Sequence, residues 1–373
     1  MLKRKGVATA TGHNHPAQTS HPALRATRRR HVTRRQRAVA KRRTMKRMLI
    51  AICVAALCAA ALSACAGDGA GRPAAVNVAA IKGPSSIGMV KLMDEADSGA
   101  IDTNDFSFEI VASADEIVPR IVQGKIDIAA VPANLSSVLY NNTQGAVQVI
   151  AVSTLGMMYI VENGETISSI GDLRGRTVYS AFKGKSPEYD LNYILGANGI
   201  DPERDLSIEW KSEHTESVAA LASHDSAIAV LPQPFVTSAQ MSNENIRIAL
   251  DLNKEWERLQ EKSDDPSALV TGVVVVRTEF AEQNPGAVSD FLSRYAVSVD
   301  FANSSVDETA ALVGKYEIFP EAVARRAIPY CNITFITGQE MVQKLSGYLR
   351  VLFEQNPQSV GGALPSEEFY YIR

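Results

Sequence analysis

"DFSFEIVASADEIVPRIVQGKIDIAAVPANL" (residues 105–135) lies without a gap over "DLSIEWKSEHTESVAALASHDSAIAVLPQPF" (205–235). The identical pairs are Asp105/Asp205, Ser107/Ser207, Glu109/Glu209, Glu116/Glu216, Val118/Val218, Ile128/Ile228, Ala129/Ala229 and Pro132/Pro232. Eight identities in 31 positions compare with about two expected from average residue usage. Phe106/Leu206, Phe108/Ile208, Ile121/Leu221 and Val131/Leu231 add apolar agreement, and Val78/Val178 and Ser86/Ser186 keep the offset of 100 upstream. The chain carries an internal repeat.

Each copy has the same plan. A strand ("VNVAAI"; "RTVYSA") leads through a Gly/Ser-rich turn into a helix, with Met89, Leu92, Met93 and Ala96 on one apolar face and Tyr189, Tyr193 and Ala197 on the other. An alternating strand follows ("FSFEIV"; "LSIEW"), then a helix, then a short apolar strand ending in proline ("IDIAAVP"; "AIAVLP"). Strand, helix, strand, helix, strand predicts two parallel α/β units with right-handed crossovers. Ligands of such sheets sit at the carboxyl ends of the strands. Further on, "ALVTGVVVVRTEF" suits a central strand, Asn284-Pro285 opens a helix, and Thr337 with Glu340 reads as a capping box.

Charge divides the chain in two. Residues 1–64 hold fifteen Lys or Arg and no Asp or Glu, so the remainder carries a formal −18 against −3 for the whole. An acidic body argues against nucleic acid as a partner. Met45-Lys46-Arg47-Met48 followed by the apolar stretch Leu49–Ala61 reads as an export signal. Thirteen residues are too few for a helix to span ~30 Å of hydrocarbon. Small residues then lead into Cys65, and "CAGDGAGRP" has the composition of a flexible tether. The Arg- and His-rich residues 1–44 read as an overextended reading frame, with Met45 or Met48 as the start, or alternatively as a nucleic-acid arm.

Catalytic signatures are lacking. There is no Gly-x-Ser-x-Gly elbow, and "GKS" at 184–186 fails the phosphate-loop pattern because Tyr179 stands where glycine is needed. After Ala64 the histidines are His214 and His224, both in polar stretches, and Cys331 is the one thiol besides Cys65. Neither a metal site, a cofactor nor a disulfide framework is expected.

Several stretches carry a family resemblance. Gly124-Lys125-Ile126-Asp127-Ile128-Ala129 is a G-x-hydrophobic-D-hydrophobic-A turn and strand; Ile167–Val178 ("ISSIGDLRGRTV") and "VVVVRTEFAEQNPGAV" (273–288) follow in order. With the repeat, they make residues 75 to 355 resemble the type II periplasmic solute-binding proteins of ABC importers. Within these the chain looks most like the alkanesulfonate/taurine/nitrate and thiamine-pyrimidine-precursor branch. Leu62-Ser63-Ala64-Cys65 likewise resembles the bacterial lipobox, in which the cysteine is lipidated and becomes the new N-terminus.

The resemblance implies an α/β fold of two doubly wound lobes joined by two hinge crossovers, near Thr154–Met157 and Leu269–Gly272. Residues 1–64 would be extension and signal and 65–74 tether. Residues 75–154 and 272–373 would form the first lobe and 155–271 the second. It implies a monomeric, extracytoplasmic binding protein without enzymatic activity, lipid-anchored through Cys65. Such a protein passes a small organic solute (sulfonate, carboxylate or heteroaromatic) to an ABC permease. A surface-sensor subunit is the alternative, and an enzyme on the same fold a more distant one.

Strand ends then give the candidate ligand residues. These are Ser85 and Ser86 after the first strand, Asn134 after "AAVP", Ser186, Glu188 and Tyr189 after "TVYS", and Gln233 and Phe235 after "AVLP". Each group opens a helix, whose free N–H groups suit an anion. Ser86, Asn134 and Ser186 have an ordinary capping role open to them. Tyr189 and Phe235, with Phe182, could equally stack on a ring or belong to the lobe core.

Overall fold

The computed structural model describes residues 73–263 and 266–372. The basic extension, the apolar stretch, Cys65 and nearly all of the tether lie outside the described residues. Eleven strands are described: β1 (Ala75–Ile81), β2 (Asp105–Val111), β3 (Ile128–Pro132), β4 (Val147–Leu155), β5 (Met158–Asn163), β6 (Thr177–Ser180), β7 (Ser207–Trp210), β8 (Ile228–Pro232), β9 (Ile246–Asp251), β10 (Val270–Arg277) and β11 (Ile333–Ile336). They form a six-stranded sheet in the order β11-β4-β10-β3-β1-β2 and a five-stranded sheet in the order β7-β6-β8-β5-β9. Each sheet is the frame of one lobe.

The repeat is visible as register. In the first sheet Val78 pairs with Phe108 and with Ile128. In the second, Val178 pairs with Ile208 and with Ile228. Both sets are parallel and both keep the offset of 100. Beside each parallel trio runs an antiparallel strand that the repeat does not contain, β10 next to β3 and β5 next to β8. The β-branched run of β10 is central, pairing with β4 on its other side. Both faces are covered, which is why Val273 to Val276 are all buried.

Among the described residues there are thirteen α-helices: α1 (Pro84–Ile87), α2 (Val90–Asp97), α3 (Ala114–Val122), α4 (Ala133–Thr143), α5 (Ser186–Ala197), α6 (His214–Ser223), α7 (Phe235–Ser242), α8 (Leu252–Gln260), α9 (Thr278–Gln283), α10 (Pro285–Ser304), α11 (Val306–Lys315), α12 (Glu321–Ala327) and α13 (Gly338–Gln355). Repeat-equivalent residues start α3 and α6 in the same way. Glu116 accepts from the Ala112 and Ser113 N–H groups, and Glu216 accepts from the Ser212 N–H. A carboxylate there satisfies donors that a helix start leaves free.

Two local expectations fail. Thr337 is the N-cap of α13 but its side chain makes no capping bond, and Gly338 follows it at φ 62°. In α5 the buried face is Asp190, Leu191, Ile194 and Leu195. Tyr189 and Tyr193 sit at its rim, their hydroxyls bonded to Asn356 and Gln260. Helix α13, packed over α5, turns that face inward. The largest apolar core joins Val149 and Val152 of β4, Ile160 of β5, Leu191 and Ile194 of α5, and Tyr348 and Leu349 of α13, so it is shared by both lobes.

Candidate functional site

Register fixes where the strand ends meet. Gly272 at the start of β10 is opposite Pro132 at the end of β3, and Met158 at the start of β5 is opposite Pro232 at the end of β8. Gly156 and Met157 alone link β4 to β5. The carboxyl ends of the parallel strands in both sheets therefore border the same crossovers. Ligands of parallel sheets bind at such strand ends, which makes the region between the two lobes the candidate site.

Both crossovers pass through glycines with no room to spare. A Cβ on Gly156 would come within 2.7 Å of Leu269 and 2.8 Å of Asn253. One on Gly272 would strike the Thr154 hydroxyl and stand 2.9 Å from those of Ser153 and Ser85. Three hydroxyls from α1 and β4 thus crowd the Cα of Gly272. Ser85 Oγ and Ser153 Oγ are 3.2 Å apart, and Thr271 Oγ1 donates to the Leu155 carbonyl at 2.6 Å and lies 3.1 Å from Thr154 Oγ1. Such a cluster, without a fixed charge, can turn its O–H groups toward an oxyanion or accept from a donor.

The second lobe presents rings instead. His214, the first residue of α6, lies 4.7 Å from the Phe182 ring and 4.9 Å from that of Phe235, centroid to centroid. Phe235 meets Phe319 edge-on at 6.3 Å. Phe319 lies between α11 and α12 and shares a groove with Lys82, which follows β1. Burial, aided by the Lys185 charge, pushes the His214 imidazole down to about 4, so it is neutral near pH 7. Its Nδ1 is buried without a partner. Gln233 is 2% exposed. Its Oε1 accepts from the hydroxyl and N–H of Thr237, leaving the buried Nε2 without an acceptor.

The remaining sequence candidates are spread more widely. Ser86 is fully buried, and its hydroxyl closes a turn with Gly83, donating to the carbonyl and accepting from the N–H. Asn134 donates to the Ser359 carbonyl, and the Tyr189 hydroxyl accepts from Asn356. Those two candidates from opposite lobes are thus held by the turn after α13. Glu188 accepts from the Gly184 N–H at 2.5 Å, and Ser186 is half-buried at the start of α5. Ser85, Gln233 and Phe235 stand nearest the groups just described.

Sequence reading missed Ser153, Thr154, Thr271, His214 and Phe319. The polar pair closing the apolar run "VQVIAV" was a usable signal, since β4 ends there. Phe319 carried none.

Comparison with known proteins identifies the fold and the family. The family model of the periplasmic substrate-binding protein of phosphonate ABC transporters matches residues 100–306. Among solved structures, an ABC transporter protein from Parabacteroides distasonis is similar at 22% identity and TM-score 0.66, over 80% of this chain and 98% of that one. The aliphatic sulphonate binding protein SsuA of Escherichia coli is similar at 14% identity and TM-score 0.63, over 80% and 92%. SsuA of Xanthomonas axonopodis pv. citri, bound to MOPS, is similar at 12% identity and TM-score 0.55, over 79% and 96%. No curated protein matches the chain in sequence. With the family model spanning more than half of its length, the chain belongs to the periplasmic substrate-binding proteins of ABC transporters.

Proposed function

We propose that this protein captures a small organic oxyanion, a phosphonate or sulfonate, in the cleft between its lobes and hands it to an ABC permease without transforming it. One observation carries the reading: the hydroxyls of Ser85, Ser153 and Thr154 converge on Gly272 at the crossover. A tetrahedral oxyanion offers three acceptors to such a cluster. The family model is named for phosphonate, and the two SsuA proteins for sulphonate or alkanesulfonate. Closure around such a solute would be a population shift about the two crossovers.

Thermal shift with methylphosphonate and ethanesulfonate tests the class. A bound solute at one hundred times its dissociation constant stabilises the protein by about 2.7 kcal/mol. No shift with either would remove the oxyanion reading, and recovery of a chemically altered solute would remove the claim of binding without turnover.

We also infer that Cys65 is lipidated and tethers the protein to the outer face of a membrane. The support is the lipobox-like "LSAC" after a short apolar stretch. No helix among the described residues is long and apolar enough to cross a membrane. Cys65→Ser should move the protein from the membrane to the soluble fraction, whereas unchanged fractionation would contradict the anchor.

A further inference from the structure

Among the described residues of the second lobe, Asp190 Oδ2, His214 Nδ1, Ser217 Oγ and Gln233 Nε2 are buried without a hydrogen-bond partner, and two of these, His214 Nδ1 and Gln233 Nε2, belong to the strand ends described above. Burying such a group without a partner costs stability, and a native protein that retains one has a reason for it. Both sit at the carboxyl ends of strands that border the cleft, His214 just beyond β7 and Gln233 directly after β8. The Gln233 amide cannot turn to hide the deficit, because Oε1 is held by the N–H and the hydroxyl of Thr237. Its backbone N–H is also tied, to the Met157 carbonyl in the crossover. Nε2 is therefore a fixed donor waiting for an acceptor.

Rings flank the His214 imidazole. Phe182, His214 and Phe235 come from three separate strand ends of the second lobe, and Phe319 reaches the same cluster from the loop after α11. An uncharged imidazole among phenyl rings offers flat apolar area to the ring of a solute.

We propose that His214 and Gln233 are specificity-determining residues that select a solute with a flat ring bearing a hydrogen-bond acceptor. This rests on the oxyanion reading above: the charged group of the solute lies on the hydroxyls of the first lobe and its ring on the second. The preferred ligands are aryl or heteroaryl oxyanions, and simple alkyl ones bind more weakly.

Calorimetric titration of the full protein at pH 8 with methylphosphonate, phenylphosphonate and pyridin-4-ylphosphonate tests this. The phenyl compound should bind about tenfold more tightly than the methyl one, the scale of one or two good ring contacts. The pyridyl compound, which adds a ring acceptor, should bind more tightly still. His214→Ala should bring the phenyl compound to within threefold of the methyl one. Gln233→Leu should bring the pyridyl compound down to the phenyl one. If either variant melts before titration, His214→Leu and Gln233→Met keep more of the volume and carry the same expectation. Equal binding of methyl and phenyl compounds, or a ring preference that survives the His214 change, overturns the assignment and leaves the oxyanion reading intact. Failure of all three phosphonates to bind overturns both.

Discussion

The two lobes share a frame and differ at both ends of it. At the amino ends of the first sheet, Asp127 accepts from the backbone and side-chain N–H groups of Asn77 and pairs with Arg277 at 3.0 Å. Its repeat counterpart is Ala227, which can do neither. The second lobe places its acid on the inserted strand instead. Glu162 is fully buried, accepts from Thr166 and Ile167, and pairs with Arg247 at 2.9 Å. Burial alone would raise its carboxyl, but those bonds and the Arg247 charge outweigh it and hold it below the usual range. At the carboxyl ends the contrast is hydroxyls against rings. Backbone register was kept between the copies while each lobe acquired its own polar anchor and its own wall of the cleft.

The anchors can be weighed against each other. Asp127→Ala should cost about 3 kcal/mol in chemical denaturation, because it leaves the Asn77 donors unmet and the largely buried Arg277 guanidinium with only the exposed Glu279 carboxylate. A loss under 1 kcal/mol would mean that the first lobe does not depend on its acid. Gly272→Ala comes next: the added methyl must displace the Thr154, Ser153 and Ser85 hydroxyls, at a cost of about 2 kcal/mol. It should also abolish the thermal response to methylphosphonate, so a retained response would place the oxyanion elsewhere. Arg247→Ala should cost only about 1 kcal/mol, since Arg247 is partly exposed and Glu162 keeps its Thr166 and Ile167 donors. A cost equal to that of Asp127→Ala would erase the difference between the anchors.

The smallest expected effect lies where α13 meets the second lobe. Asp190 is fully buried, and its one partner is the Tyr348 hydroxyl at 3.0 Å. Burial pushes its carboxyl well above 3.8, and the bond from Tyr348 only partly opposes this. A raised folded value means that stability is fullest below the unfolded value and declines as pH rises toward the folded one. The melting temperature of the native protein should therefore fall relative to Asp190→Asn between pH 4 and pH 8. Parallel curves for the two proteins would show that Asp190 does not titrate across this interface.

Much of the frame was legible because it repeats. The offset of 100 gave six strands and their parallel pairing, since apolar alternation and the terminal prolines survive in both copies. The antiparallel partners were harder. Strand β10 announced itself through Val273–Val276, but nothing local shows that it enters beside β3 in the reverse direction. The proposed site was half legible. Ser85, Gln233 and Phe235 follow strands that the repeat identifies. Ser153 and Thr154 end a strand outside it, and Phe319 arrives from a loop some two hundred residues from β2. His214 looked polar by its neighbours Glu213, Thr215 and Glu216, whereas its surroundings in space are Phe182 and Phe235. Side chains gathered from distant segments leave no local pattern. Ser86, by contrast, was plain in the sequence and proves to be spent on its own turn.

A crystal structure of the protein grown with methylphosphonate would test the central claim most directly. The phosphonate oxygens should lie within hydrogen-bonding distance of the Ser85, Ser153 and Thr154 hydroxyls, between the two crossovers. A phosphonate bound at another surface, with those three hydroxyls still turned only toward one another, would contradict it.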